Sequence, residues 1–438
     1  MLRFYFIASA AVALAACGSG GFQPDVDGGA PAEIDAGSIL EDSEIVFDES
    51  VIRVYELEVA AADWQWLNDN ATLEEYVPAT LRWEGETYEN IGIRYKGGFG
   101  SLFFCFDGQG NLICDKLSLK LKFNEYIPGA RFHGLKRLNF HSMEKDPTKM
   151  HDAIGYKLFR DNGVIAPRTS YARFVVNGES QGLFVVVEQI DGRFARSRYS
   201  DGGEGNVYKE VWPVSTDPAP YIAALKTNKT IANVDKMVRF AEALGAATDA
   251  TFVQVLEQWT DVDQLMRYMA VARLIDHWDG IVGWYCTGGP CFNHNYLFYE
   301  STTEDKLWLI PWDLDHTFEE PSPIRTFFGM PDWDDTGADC TPIPIFSGIQ
   351  GRAPACDQFI GRMATLLWDR YVAATNTLLA NDFQTASMQA RIAELEQLIS
   401  AEVAVDPRGP TAAEWQNSVN GFDTTVGLKR AYIEGKLP

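Results

Sequence analysis

The chain is short of positive charge, histidine and long apolar runs, and each shortage excludes something. It has 37 lysines and arginines against 61 aspartates and glutamates, a formal net charge of −24. Nucleic-acid backbones demand a basic surface, so nucleic acid is excluded as a general partner. Only six histidines occur in 438 residues. None of the seven cysteines falls in a C-x-x-C pair, which weighs against zinc sites. Beyond the N-terminus no run is long and apolar enough for a transmembrane helix. There is no internal repeat. The acidic run Asp332, Asp334, Asp335 and Asp339 lacks the spacing and closing glutamate of an EF-hand and reads as a solvated loop. Disorder is excluded in turn, because 46% hydrophobic and 13% aromatic residues suffice for a core. The length fits one large domain or two to three ordinary ones.

What is present begins with an address. Arg3 precedes an apolar run, Phe4 to Ala16, that is too short to span a membrane and ends in Leu-Ala-Ala-Cys. The run resembles a bacterial lipoprotein signal over 1–16, cut before Cys17, which then takes the lipid. The alternative is an ordinary secretory signal with an incidental Cys17. Residues 17–46 are rich in Gly, Ala, Asp, Ser and Pro, as a flexible tether is. The expected location is extracytoplasmic, with a lipid anchor as the sole membrane contact. In such an oxidising setting the remaining cysteines, in three local pairs, favour Cys105–Cys114, Cys286–Cys291 and Cys340–Cys356.

Folded sequence opens near Phe47. Period-two alternation predicts strands in VIRVYELEV, in the segment ending at Lys96, in LSLKLKF, in GLKRLNFHS and in the hairpin about Asn177-Gly178. Gly97, Gly98, Gly100 and Ser101 form a turn that lets backbone approach a ligand. Lys116, Ser118, Lys120 and Lys122 share one face. They guard a sheet edge, or one of them points into a cleft to meet an anion. Between the strands a helix is predicted after Asp146 as N-cap, ending at Gly163. From about 217 helical spacing takes over, at 219–245, 250–258, 358–381, 384–403 and 411–436. The predicted class is α+β, with an antiparallel-sheet N-terminal lobe over 47–191 and a mainly helical lobe over 192–438.

Within the second part, residues 275–318 set carboxylates, histidines and asparagines among aromatics. Buried polar groups are costly unless paired, so this stretch is the candidate active site. Asp313 and Asp315 follow a strand two residues apart, and such paired carboxylates suit a hard cation such as Mg²⁺. Asp279 and Asn295 are placed to join them. A hydrolase built on His277, His294 and His316 is a third possibility, but their spacing matches no zinc motif.

Several ordered blocks, IGIRYKGG, KLSLKLKF, GLKRLNFHS, the stretch from DPTKMHD to VVVEQID, LIDHWDG, NYLFY and LIPWDLDHTF, resemble the CotH kinase family. The likeness runs from about Phe47 to Phe318, and the last 120 residues carry little of it. It implies an atypical protein-kinase-like bilobal fold that uses ATP and Mg²⁺ to phosphorylate protein Ser or Thr. Lys120, with Lys122 as next choice, resembles the phosphate-binding lysine, and Asp152 lies where its acidic partner is expected. Gly97-Gly98 resembles the phosphate flap, and Glu188 to Ile190 the hinge that meets adenine. Asp279 resembles the catalytic aspartate, while Asn295, Asp313 and Asp315 resemble metal holders. His277 resembles the catalytic-loop histidine, or is a core histidine. Two departures stand out: Asn295 lies sixteen residues after Asp279, and WDLD replaces DFG. The expected function is therefore phosphoryl transfer to surface or extracytoplasmic protein; a catalytically silent, kinase-like binding lipoprotein is the alternative.

Overall fold

A computed structural model describes residues 42–98, 102, 105–107, 109–286, 290–319, 330–346 and 348–438. The signal, Cys17, most of the tether, and Gly100 and Ser101 lie outside the described residues. Seven strands alternate as their sequences require: β1 Arg53–Val59, β2 Val77–Trp83, β3 Glu86–Tyr95, β4 Leu119–Lys122, β5 Arg137–His141, β6 Thr169–Val176 and β7 Glu179–Glu188. They form a closed barrel in the order β1-β2-β3-β4-β5-β7-β6. Six of the seven pairings are antiparallel, as expected. The seventh joins β1 to β6 in parallel, Tyr55 opposite Phe174, and shuts the sheet on itself. Local alternation carries no signal of that closure, because the two strands are far apart in sequence.

Alternation sends Leu57, Leu81, Ile93, Leu121, Leu138 and Phe174 into the barrel, where they are buried. The opposite face carries Lys96, Lys120 and Asn139. Since β4 lies between β3 and β5, its lysines guard no sheet edge. Lys116 is itself buried and pairs with Asp406 at 2.8 Å.

The short segment Ala61–Asp69 is a helix, and the helix predicted after Asp146 starts later than expected, at His151, and runs to Asp161. Asp146 instead organises the turn before it. Its Oδ1 accepts the N–H groups of Thr148 and Lys149, each at 2.8 Å, and its Oδ2 that of His151 at 2.7 Å.

The second part contains β8 Asn206–Lys209, β9 Tyr285–Cys286, β10 Cys291–Phe292, β11 Tyr296–Glu300, β12 Leu307–Pro311, β13 Ile343–Phe346 and β14 Ile349–Gly351. They make a three-stranded sheet, β12-β11-β8, and a four-stranded one, β10-β9-β14-β13. The helix expected over 219–245 is two helices, Ala219–Ala224 and Asp235–Ala246. Between them the Asn228 amide donates to the Gly205 carbonyl at 3.0 Å and the Thr227 hydroxyl accepts the Val207 N–H at 2.8 Å. These side-chain bonds tie the segment to β8 instead of letting it continue as helix. Helices Asp249–Trp259, Val262–Leu274, Gln358–Leu366, Trp368–Ala380, Thr385–Ala404 and Ala412–Glu434 complete this part. All six share one core with the outward faces of β6 and β7.

All three expected disulfides form: Cys105–Cys114, Cys286–Cys291 and Cys340–Cys356. The acidic run is not wholly solvated. Asp332 is buried between Arg273 at 2.9 Å and Lys436 at 3.0 Å. Among the described residues no helix is long and apolar enough to cross a membrane.

Candidate active site

The site grows from one hairpin. Strands β11 and β12 pair with Tyr296 opposite Pro311. Asn295 therefore precedes one strand, and Asp313 follows the other, at the same sheet end. The Trp312 N–H donates to the Asn295 carbonyl at 3.2 Å and locks that end. Both Asn295 and Asp313 have positive φ, 55° and 54°, a backbone conformation Asn and Asp tolerate better than most residues. Each turns sharply out of its strand.

Asp279 comes to the same end from the loop after the Val262–Leu274 helix. The Asn295 amide donates to its carboxylate at 2.8 Å and to its backbone carbonyl at 3.0 Å. The sixteen-residue gap that departs from kinase spacing is thus closed by the fold. The Tyr285 hydroxyl, next to the Cys286–Cys291 bridge, donates to the other carboxylate oxygen of Asp279. His277 is buried, and burial pushes its ring down to about 4, so it is neutral at physiological pH.

Charge in this cluster is arranged in opposition. Burial raises Asp279 to about 6, against the pull of His316 and the Tyr285 bond. Burial and the neighbouring Asp313 charge push Asp315 up to about 7. Burial would raise Asp313 too, but His141, Lys96, Lys209 and His316 outweigh it and hold the carboxyl below its ordinary value. Burial opposes the charge on His316, yet Asp315, Glu319 and Asp279 carry it up to about 9. Of these two carboxylates, Asp313 stays in its charged form while Asp315 is pushed towards its acid form.

The barrel supplies the other wall. Lys120, Asn139 and Val187 form one row across β4, β5 and β7, and Glu188 follows. Lys120 makes no ion pair among the described residues. Burial and the cations Arg94, Lys96 and Arg137 drive its ammonium well below the ordinary lysine value. Lys96 stands closer to the acids: its ammonium lies 5.8 Å from the Trp312 ring centroid, and Asp313 and Asp152 favour its charge. Gly97 and Gly98 follow it with φ of 138° and 40°.

Other expected residues have partners of their own. Lys122 pairs with Glu125 at 2.7 Å. Asp152 meets His141 at 3.1 Å and accepts the Leu314 N–H at 3.3 Å, so its basic partner is a histidine and not Lys120. The buried Glu188 carboxylate clamps Arg168 at 2.9 Å and also Arg198, and its N–H donates to the Arg168 carbonyl at 3.0 Å. Ile190 is buried, with its carbonyl taking the Gln189 amide at 3.1 Å.

Sequence reasoning passed over Lys96, Tyr285, Tyr156, Lys209 and Glu210. The Tyr156 hydroxyl accepts the Asp313 N–H at 3.0 Å. The Glu210 carboxylate accepts the Asn295 N–H at 3.3 Å. Lys96 could have been found from its place before two glycines. The others depend on contacts between distant segments.

Among the described residues no three His, Cys, Asp or Glu side chains are grouped to hold a metal by themselves. Mg²⁺ asks for less, since it binds through one or two carboxylates plus substrate phosphates and water. The oxygens of Asp313, Asp315 and Asn295 fit that demand.

Comparison with known proteins agrees with this geometry. The family model described as CotH kinase protein matches residues 93–433. It starts within β3 and includes the C-terminal helices, so the likeness does not fade after Phe318. Inner spore coat protein H of Bacillus subtilis is 22% identical over 280 residues, 62% of this chain and 70% of that protein. Invasin CotH2 and invasin CotH7 of Rhizopus delemar are each 23% identical, over 52% and 40% of this chain. The chain spans only 39% and 30% of their lengths. With a match over most of its length, this chain belongs to the CotH kinase family.

Proposed function

We propose that this protein transfers the γ-phosphoryl group of ATP to serine or threonine hydroxyls of proteins outside the cytoplasm. The observation that carries this reading is the hairpin end, which joins Asn295 and Asp313 to Asp279 and faces the Lys96 ammonium, whose charge acts on Asp313. Protein kinases hold Mg²⁺ with an asparagine and an aspartate and use a second aspartate on the acceptor hydroxyl. On this reading the barrel is the N-terminal lobe of a bilobal kinase-like fold, and Gly97-Gly98 and the Glu188–Ile190 segment border the nucleotide.

Asn295, Asp313 and Asp315 would hold Mg²⁺, which supplies charge neutralisation at the phosphates. Asp279 is ionised at neutral pH and orients the acceptor hydroxyl. The hydroxyl oxygen bonds to the γ-phosphorus, the bond from that phosphorus to the bridging oxygen breaks, and the hydroxyl proton passes to Asp279. Lys96 and Lys120 stabilise the phosphates by position and charge. Three disulfides fit an oxidising, extracytoplasmic setting, where Cys17 would carry the lipid anchor.

One observation favours the silent alternative: both Asp279 carboxylate oxygens already accept hydrogen bonds, from Tyr285 and Asn295. Thermal melting with Mg²⁺ and ATP, alongside transfer of labelled phosphate, tests both readings. At a hundredfold excess over Kd, binding adds about 2.7 kcal/mol of stability. The expected result is a shift of several degrees that Asp313→Ala abolishes, together with labelling of the protein or an added substrate. A shift without labelling favours the silent scaffold. No shift and no labelling removes the kinase reading.

A further inference from the structure

We propose that Lys209 is a second phosphate-binding residue of this site, contacting the terminal phosphate of the bound nucleotide from the β8 side. The inference rests on the phosphotransfer reading above and names a residue that reading does not use.

The three-stranded sheet places Lys209 there. In the order β12-β11-β8, Asp313 follows the end of β12, Asn295 precedes β11, and Lys209 is the last residue of β8. Lys209 stands opposite Leu297, two residues from Asn295. The next residue, Glu210, is pinned to the same end twice: its N–H donates to the Tyr296 carbonyl at 3.2 Å, and its carboxylate accepts the Asn295 N–H at 3.3 Å. One end of the sheet therefore brings a lysine, an asparagine and an aspartate together from its three strands. The charge of Lys209 is felt at both Asp313 and Lys96.

Lys209 is not committed to a structural partner. Its one ion pair among the described residues is with Glu210, at a long 3.4 Å, and its side chain keeps 36% of its surface exposed. The Glu210 carboxylate is shared with the Asn295 backbone, so the lysine is only partly neutralised. Arg94 and Arg137 are already paired, with Glu74 at 2.6 Å and Asp191 at 3.7 Å, which leaves Lys96 and Lys209 as the two lysines whose charges meet at Asp313. A terminal phosphate held at that carboxylate is a group both could reach, and a lysine serves it as a mobile point charge.

The test compares Mg–ATP and Mg–ADP affinities by calorimetry for the wild type, Lys209→Met and Lys209→Arg. Lys209→Met should weaken ATP binding by roughly tenfold or more, the measure of a lost charge-assisted contact. ADP binding should change less than about twofold, because ADP lacks the phosphate in question. Lys209→Arg should recover most of the ATP affinity. Equal weakening of both nucleotides, or of neither, overturns the assignment while the kinase reading stands. Lys209→Gln provides the same comparison if the Met variant does not fold. A wild type that binds neither nucleotide removes the kinase reading, and Lys209 falls with it.

Discussion

Gly280 leaves no room for a side chain. A Cβ there would lie 2.6 Å from Nδ1 and 2.8 Å from Cε1 of His277, a ring that is 1% exposed and has nowhere to go. Gly280→Ala must therefore displace the loop that carries Asp279. The expected destabilisation is about 1–3 kcal/mol, the range for overpacking, read from the urea midpoint, with phosphotransfer lost out of proportion to stability. His277 makes a separate prediction. Its native ring titrates near 4, against about 6.5 in the unfolded chain. Between those values the unfolded state holds a proton that the native state does not, so the His277 contribution is lost as pH falls from about 6.5 to 4. Asp279 and Asp315 act in the opposite sense, since their raised native values favour the fold as acid is added. The wild-type melting profile minus that of His277→Leu isolates the histidine. A difference that stays flat over that window would show that His277 is not held neutral. The sequence left its role open between chemistry and core, and its burial comes from residues far from it in the chain.

At the scale of elements, what the sequence revealed was local and what it hid was pairing. Strands showed because alternation is written into consecutive residues, as in Leu119, Lys120 and Leu121. The DLDH turn showed because Asp313 and Asp315 follow an apolar strand. The break at 225–234 did not show, since it depends on Thr227 and Asn228 finding β8. Nor did the role of the last helix. Ala412–Glu434 sends Lys429 into the core, where it meets Asp276 at 2.9 Å with both side chains fully buried. Asp276 has φ of 55° and begins the turn that delivers His277 and Asp279. A helix that looked like a closing element thus supports the loop that carries Asp279, in keeping with a family match that reaches residue 433. Lys429→Met removes the 2.9 Å partner of the buried Asp276 carboxylate, and Arg273 stands farther off at 3.8 Å. Breaking such a pair costs about 3–5 kcal/mol. The double change Asp276→Asn with Lys429→Met should recover a good part of that loss, as judged by denaturant midpoints in a double-mutant cycle. A double change that costs the full sum of the two single changes would mean that the pair itself contributes nothing.

For the whole molecule the deciding contacts join the ends of the chain. The barrel core is contributed by residues from Val46 to Val186, yet the barrel does not stand apart from the C-terminal helices. Asp406, just beyond the Thr385–Ala404 helix, accepts the Leu183 N–H at 2.9 Å and pairs with Lys116 at 2.8 Å. The Lys116 ammonium also donates to the Leu183 carbonyl at 2.6 Å. Gly182 makes this approach possible: its φ is 94°, and a Cβ there would fall 2.0 Å from the Asp406 carboxylate. Burial lowers Lys116 to about 8 even with Asp406 beside it, so without the aspartate the buried ammonium would keep the Leu183 carbonyl and the Phe184 ring but no counter-charge at 2.8 Å. Asp406→Ala and Gly182→Ala attack the same joint by different means, one through charge and one through space. Each should cost about 3–5 kcal/mol if the joint fastens the C-terminal helices to β7. Because both act on one contact, combining them should add little to either alone. Full additivity in the combined variant would separate the two effects and show that barrel and helices are held together elsewhere. No reading of neighbouring residues could have paired Lys116 with Asp406, because the chain must close its barrel and lay down its last helices before the two can meet.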